Sequence, residues 1–437
     1  MTKRYLLFMV QVHLNFRLAE LESLADMFGL TTIDFSQYDE ESPFFVVELE
    51  NDQQAREWIS RSILTRAIYE YWGQGSNYEQ LHLDVQENPL YLQLKQEYRE
   101  SSFKFEFDSF GGSSAGKLDR VACIESFKYL DFQGPIRMKN PEQIFTVIEE
   151  YEPLSDNQAG ETPLRLFFGR EVQRSDRFRG ALEKYDLKKR PYKGTTSFEA
   201  ELSLVSANIA QVKPGTFMYD PFAGTGSFLT AGGHYNAMVI GSDIDGRMIR
   251  GKGSQTIRAN FKKYQDSLQF LDVLTMDFTH NALRKNLIID TILCDPPYGI
   301  RESIKVLGAK DPERFIGKEN VEINGQKAYL LRDYIPTKKP YSLDSLLDDL
   351  LHFAVERLPI GGRLAFWMPV ANDENIETVI PMHADLELKY NCVQEFNKWS
   401  RRLLVYIQRG ADYNGPTNMG SERSKERFRD RYFSGFN

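Results

Sequence analysis

Cysteine is scarce in this chain: Cys123, Cys294 and Cys392 stand far apart and form no C-x-x-C spacing. That disfavours a disulfide framework and a zinc site, and it points to a reducing, cytoplasmic compartment. Histidine is nearly as rare. The six, at 13, 82, 234, 280, 352 and 383, never recur at the spacing that puts two ligands on one helix face. They read as polar or packing residues, and no metal is expected in this chain. No apolar run approaches the roughly 20 residues needed to cross a bilayer. The short apolar stretch in MTKRYLLFMVQVHLNF lacks a small-residue cleavage site, so it reads as a first strand and not as a secretory signal. Net positive charge is absent as well. The formal charge of -8 runs against the basic surface with which proteins neutralise phosphates. The deficit is uneven, because residues 1–150 hold 14 Lys/Arg against 25 Asp/Glu, whereas residues 170–193 hold nine against four.

What is present is enough chain for more than one core. A length of 437 residues implies roughly two to three domains. Residues 1–77 read as strand YLLFMVQV, helix RLAELESLADMFG, strands at TIDFS and FFVVEL, helix DQQAREWISRSILT and a strand at IYEYW. This βαββαβ rhythm suggests a ferredoxin-like unit. Residues 78–175 form a second α/β stretch with strand candidates FKFEFDSF, FQGPI and RLFFGREV. Residues 176–193 make a basic linker. From 194 to 410 short apolar strands alternate with helical segments, which implies a parallel, Rossmann-like sheet. The last two runs, LKYNCVQEF and LLVYIQR, are separated only by NKWSRR and predict an antiparallel hairpin at one edge. Residues 411–437, with alternating charge in SERSKERFRDR, read as a solvated tail or a frayed helix.

Two short motifs carry the chemistry. Strand TFMY runs into Asp220-Pro-Phe-Ala-Gly-Thr-Gly-Ser-Phe228, followed by a helical pattern. Glycines at 224 and 226 allow a tight turn that brings backbone N–H groups close to a ligand at a helix N-terminus. The next strand ends at Asp243, where a carboxylate suits the two hydroxyls of a ribose. A third acidic residue, Asp272, is a candidate for an adenine amino group, though a plain strand-end turn is an equal reading. Farther on, strand IDTILC ends at Asp295-Pro296-Pro297-Tyr298-Gly299. Two successive prolines fix the backbone and remove two N–H donors, so the loop presents acceptors rigidly. That suits a substrate that donates hydrogen bonds. An exocyclic amine on a planar base is a poor nucleophile until its N–H groups are engaged and its lone pair is turned to the methyl donor. Asp295 and the Pro296 carbonyl can each accept one N–H, while Tyr298 can stack on a flipped base.

In this order, DPFAGTGSF and DPPYG resemble the amino-methyltransferases of the class I fold. The longer stretches KYDLKKRPYKGTTSFEAELS and DPPYGIRESIKVLGAKDPER are similar to the family of eukaryotic tRNA (guanine-10) N2-methyltransferase catalytic subunits. The resemblance covers nearly the whole chain. It implies a ferredoxin-like and THUMP region that grips the tRNA acceptor end, followed by a class I catalytic domain. It implies S-adenosylmethionine as cofactor and a small zinc-binding activator subunit as partner. Carried over by motif, Asp220, Ala223, Gly224 and Gly226 line the cofactor, Asp243 its ribose, and Asp295, Pro296, Pro297 and Tyr298 the target base. The family also suggests that Arg190-Pro191-Tyr192-Lys193 closes over the methionine end. The expected activity is methylation of a guanosine N2 in tRNA, with N6-methylation of adenine or N5-methylation of a protein glutamine as alternatives within enzymes. A non-catalytic RNA-binding scaffold is the alternative outside them.

Three further segments have two readings each. The basic stretch 170–193, with Phe178, Tyr185 and Tyr192 interleaved, suits either tRNA phosphates or a solvated linker. Residues 301–343, with Lys338-Lys339, suit either a lid or a surface insertion. The turn Asn397-Lys398-Trp399-Ser400-Arg401-Arg402 reads as structure in preference to an RNA contact.

Overall fold

The computed structural model describes residues 2–112, 119–152, 162–266, 269–300, 303–309, 311, 313, 316, 321–331, 334–418, 420 and 428–436. The chain divides into two compact units, Met1–Ala181 and Leu182–Asn437.

In the first unit, β1 (Lys3–Met9), β2 (Phe44–Leu49), β3 (Thr65–Gly75), β4 (Phe103–Phe110), β5 (Gln143–Glu150) and β6 (Arg165–Arg174) form one sheet. Its order is β2-β1-β3-β6-β5-β4, antiparallel except for the β4–β5 pair. Helices α1 (Leu14–Met27), α2 (Asp52–Ser60), α3 (Tyr78–Glu87), α4 (Tyr91–Tyr98) and α5 (Arg120–Ser126) accompany it. α2 and α3 begin alike, with Asn51 and Asn77 accepting the N–H of Gln54 and Gln80, a cap that satisfies an otherwise orphaned donor.

Two expected strands are missing. TIDFS lies in a turn region where Asp34 accepts the Ser36 N–H at 2.8 Å and Asp39 that of Glu41 at 3.0 Å. Such local side-chain bonds compete with a sheet ladder. FQGPI makes only one isolated bridge, Ile136 to Phe103. Pro135 has no N–H to give, and the parallel place beside β4 goes to QIFTVIEE. The position taken as a boundary near residue 77 lies inside a continuous sheet, since β3 pairs with β6 from Ala67–Arg174 to Gly75–Leu166. At the heart of that pairing Glu70, 1% exposed, accepts from Lys3 Nζ at 2.7 Å and from Arg170 Nε at 2.9 Å. Arg170 also reaches Asp52, which accepts the Tyr5 hydroxyl at 2.9 Å. Buried charges of this kind are tolerable only when fully partnered.

The second unit begins in α6 (Ala181–Tyr185), followed by α7 (Ala200–Ile209). Its strands are β7 (Phe217–Asp220), β8 (Met238–Asp243), β9 (Phe270–Thr275), β10 (Thr291–Cys294), the short β11 (Lys305–Leu307), β12 (Glu322–Ile323), β13 (Gln326–Lys327) and β14 (Lys338–Pro340), then β15 (Arg363–Ala371), β16 (Leu386–Glu395) and β17 (Trp399–Gln408). The helices between and after them are α8 (Ser227–His234), α9 (Gly246–Arg250), α10 (Ile257–Tyr264), α11 (Leu343–Arg357), α12 (Ile376–Val379) and α13 (Phe428–Ser434). Seven strands form the main sheet in the order β16-β17-β15-β10-β7-β8-β9. β7, β8, β9, β10 and β15 run parallel, and β17 runs antiparallel between β15 and β16. The expected edge hairpin is therefore present.

Strand order reverses at β7, which has β8 on one side and β10 on the other. Open α/β sheets hold their ligands in the crevice at such a point, outside the carboxyl ends of the strands. One face of the sheet packs Tyr219, Ile292, Leu364, Phe366 and Tyr406 with Leu347, Leu350 and Ala354 of α11. On α7, Ser206 accepts the indole N–H of Trp367 at 3.1 Å. Of the expected solvated tail or frayed helix, the last part is a packed helix. In α13, Phe428 is 9% exposed and meets Trp399, with ring centroids 5.8 Å apart. Phe428, Tyr432 and Phe436 recur every four residues, an apolar stripe masked in the sequence by the charges between them. Residues 421–427 lie outside the described residues.

Candidate active site

The glycine loop leaves β7 at Asp220 and enters α8 at Ser227. Asp220 is 1% exposed and accepts the Phe222 N–H at 3.0 Å. Burial pushes its carboxyl above the ordinary range, and Asp243 and Asp295 push the same way against the Phe222 N–H. Ala223 N donates to the Ser242 carbonyl at 2.8 Å, which fastens the loop to β8. Gly224 N donates to Asp243 Oδ2 at 2.9 Å, and Asp243 Oδ1 accepts the Asp245 N–H at 2.8 Å. Gly226, with φ of 83°, turns the chain into the helix, and a Cβ there would lie 3.0 Å from Ile257 Cγ2. It shapes the loop from behind, whereas Asp220, Ala223, Gly224 and Asp243 line a cavity of about 450 Å³.

The proline loop bounds the same cavity. Asp295, Pro296, Pro297 and Tyr298, at the carboxyl end of β10, all line it. The Tyr298 hydroxyl donates to Asp295 Oδ1. Burial pushes the Asp295 carboxyl up to about 6, with the Tyr298 hydroxyl and the Arg401 guanidinium drawing it back. Neighbouring strands thus bring two loops, some seventy residues apart in sequence, onto one hollow of a size that suits a small organic ligand.

Asp272 does not join them. It sits early in β9, its side chain is 63% exposed, and its ion partner is Arg258 at 3.9 Å. The acidic residue at the cavity is Asp277, just past the carboxyl end of the strand, followed by Phe278. Asp277 is 4% exposed and accepts N–H groups from Thr279 at 3.0 Å and Leu307 at 2.7 Å. The parallel sheet explains the difference, because only residues at the carboxyl end of a strand reach the crevice. Asp220 and Asp243 end their strands, Asp295 stands one residue past its strand and Asp277 two past β9, so an acidic residue at the carboxyl end of a strand is the signal that selects Asp277.

Arg190 and Tyr192 do not line the cavity either. Arg190, 4% exposed, donates to Ser227 and Thr230 of α8 at 2.9 and 3.2 Å. Tyr192 donates to the Met248 carbonyl at 2.6 Å. The wall is made by the residues that follow, Thr196, Ser197 and Phe198, with the Ser197 and Thr225 hydroxyls 2.6 Å apart. Within the basic stretch much charge is spent internally: Arg170 on Glu70 and Asp52, Arg174 on Glu171 and Glu106, Lys189 on Glu183.

The segment after the proline loop folds back on the β8 side. β11 pairs with β14, Lys338 Nζ donates to the Ile244 carbonyl at 3.0 Å, and Ser303, Ile304, Lys305 and Val306 line the cavity. On the other side stand groups that sequence reading assigned to structure alone or missed. Arg401 lies 4.1 Å from the Phe198 ring and 4.8 Å from that of Trp367, and with Phe396, Trp399 and Tyr432 it completes the wall. Among the described residues no cluster of three metal-ligating side chains occurs.

Known proteins resemble the chain along its whole length. Residues 3–177 match the Tmrp11 THUMP N-terminal domain family, and residues 188–307 match the RMKL-like, methyltransferase domain family. The chain is 72% identical over 437 residues to tRNA (guanine(10)-N(2))-methyltransferase of Saccharomyces cerevisiae, covering all of both chains. It is 38% identical over 401 residues to the protein of that name from Schizosaccharomyces pombe, covering 90% of this chain and 81% of the relative. With tRNA (guanine(10)-N(2))-methyltransferase TRMT11 of Homo sapiens it shares 32% over 452 residues, covering 99% and 95%. Among solved structures, TrmN from Thermus thermophilus covers 93% of this chain and 99% of its own at 17% identity, with a TM-score of 0.42.

Proposed function

The chain belongs to the tRNA (guanine(10)-N(2))-methyltransferase family, and from that premise we propose that it transfers a methyl group from S-adenosylmethionine to N2 of a tRNA guanosine, at position 10. The observation that carries the site assignment is the shared cavity. A glycine loop and a proline-stiffened acidic loop, on the adjacent strands β7 and β10, face one hollow.

The residues on the β7–β8 side fit the cofactor. A loop with two glycines at positive φ and a carboxylate at the end of the next strand suit a nucleoside with two vicinal hydroxyls. Gly224 and Ala223 would lie along the cofactor, Asp243 would hold its ribose, and Asp277 with Phe278 would flank the adenine in place of Asp272. When bound, S-adenosylmethionine supplies an electrophilic methyl on a sulfonium that is already a good leaving group. The chain itself has to position and to accept protons. Asp295 and the Pro296 carbonyl each accept a hydrogen bond from one N–H of the 2-amino group, which turns the nitrogen lone pair out of conjugation with the ring. The Asp295 carboxylate takes the proton that the methylated nitrogen gives up. Positioning of this kind is where most of the acceleration arises. Asp295 serves as its carboxylate, so protonation near pH 6 removes an acceptor. Tyr298 holds that carboxylate through its hydroxyl and gives its ring to the pocket wall.

Residues 1–175 grip the tRNA acceptor end, and the partner is a small zinc-binding activator subunit. The support for a partner on the catalytic unit is β9, the last strand of its sheet. Leu271 on it is 44% exposed, and an open strand edge with apolar residues is a surface that proteins normally cover. Three buried free thiols suit a cytoplasmic, reducing compartment. The deciding measurement is mass spectrometry of tRNA from cells lacking this protein, read nucleotide by nucleotide. Loss of N2-methylguanosine at position 10 alone is expected, and an unchanged position 10 overturns the reading.

A further inference from the structure

Resting on that reading, we infer that α13 forms the substrate-side wall of the base pocket, with Tyr432 as a base-stacking residue. The aromatic expected to stack, Tyr298, is partly committed, since its hydroxyl donates to Asp295 on the same loop. A base taken out of its helical stack loses two neighbours, and pockets that receive such bases commonly hold them between two surfaces. Tyr298 and the prolines supply one surface. The same cavity is lined by a second aromatic group, made of Phe396, Trp399 and Tyr432.

That group is held in place deliberately. Phe396 stacks on Trp399 with centroids 4.5 Å apart and planes 25° apart, and Trp399 meets the edge of Tyr432 at 6.1 Å. Phe428 anchors the helix in this cluster from one side. From the other, Arg431 NH2 donates to Asp373 Oδ1 at 2.6 Å and Arg431 NH1 lies 3.3 Å from Glu374, both residues just past the carboxyl end of β15. Lys398 Nζ caps the arrangement by donating to the Gly435 carbonyl at 2.8 Å. The helix also lies against the catalytic loop, because a Cβ added to Gly299 would stand 3.7 Å from Arg429 Cδ. Arg429 and Tyr432 are three residues apart and so share one helix face. That face is turned to the Asp295–Gly299 loop. A helix pinned to β15 and β17 and pressed on the proline loop brings one ring, half-buried, into the hollow where the base must sit.

Ring removal at base-stacking positions costs about 5- to 150-fold in binding. The test uses the full chain together with its activator subunit, the chain carrying Tyr432→Ala, Tyr432→Leu or Tyr432→Phe. For each, kcat and KM for tRNA methylation and calorimetric affinity for S-adenosylmethionine are measured. A tRNA carrying 2-aminopurine at the target position reports stacking by quenching. Expected are losses of at least fivefold in kcat/KM for the Ala and Leu variants, parent-like kcat/KM within twofold for Phe, and cofactor affinity within twofold throughout. The 2-aminopurine emission rises in the Ala and Leu complexes and stays quenched with Phe. If the Ala and Leu variants keep the parent's kcat/KM and quenching while the parent methylates tRNA, the inference is wrong and the function stands. An equal loss of cofactor affinity in Ala, Leu and Phe variants also overturns it, since the helix would then only support the fold. If the parent transfers no methyl to tRNA, the function falls first.

Discussion

The two sides of the crevice are built on different plans. On the cofactor side, the groups at the ends of β7, β8 and β9 are carboxylates held by backbone N–H groups: Asp220 by Phe222, Asp243 by Gly224 and Asp245, Asp277 by Thr279 and Leu307. On the substrate side, one carboxylate stands among rings and a guanidinium drawn from Phe198, Tyr298, Trp399, Arg401 and Tyr432. The first side is preorganised by the main chain, as suits a ligand whose shape does not vary. The second relies on side-chain packing between remote elements, as suits a large substrate whose base must enter from outside.

Substitutions that damage one side and spare the other sharpen this contrast. The largest effect is expected at Asp295. Asp295→Ala lowers kcat by about 100-fold or more, the size seen when one preorganised polar group is lost from a reacting centre. Its affinity for S-adenosylmethionine stays within twofold by calorimetry. Asp243→Ala does the reverse. Cofactor binding weakens by about 10- to 100-fold, in keeping with hydrogen bonds to a charged acceptor, while tRNA affinity measured by gel shift is unchanged. The pH profile gives a third, graded effect. Asp295 acts as a carboxylate and its pKa is about 6, so kcat/KM holds above that value and falls about tenfold per unit below it. The same raised pKa means that ionisation costs the folded state. The stability Asp295 contributes is complete below its unfolded pKa and lost as pH rises through about 6. Asp295→Asn should therefore melt higher than the parent at pH 8, by roughly a few degrees, with the gap closing toward pH 4. The smallest effect is at Asp272, where Ala leaves cofactor affinity within twofold; a larger loss there would return Asp272 to the binding site.

This contrast also accounts for what was legible in the sequence. Asp220, Ala223, Gly224 and Asp243 belong to one strand–loop–helix–strand run, so their spacing alone implies their meeting. Asp295 to Tyr298 are readable because paired prolines after a buried strand have few other uses. Asp272 was misplaced because an acidic residue inside a strand looks the same in sequence as one at its end, and only the ladder with β8 fixes which residue reaches the rim. Arg401 and Tyr432 gave no local signal, since what recruits them is packing against Phe198, Trp367 and Trp399. The seven-stranded sheet followed from the βα rhythm. The first unit was harder, because TIDFS and FQGPI have strand composition while their aspartates and proline direct the backbone elsewhere.

The pairing of β3 with β6 has a consequence for how the polypeptide is made. Glu70 meets Arg170 one hundred residues downstream, a length that a ribosome takes roughly 5–20 s to add. Through that interval the nascent sheet has one unmatched border, and an acid destined for the interior has Lys3 as its only cation of the eventual pair. A polypeptide ended anywhere between those two strands would keep both defects permanently, so it should be captured by chaperones or degraded instead of accumulating as a smaller folded product.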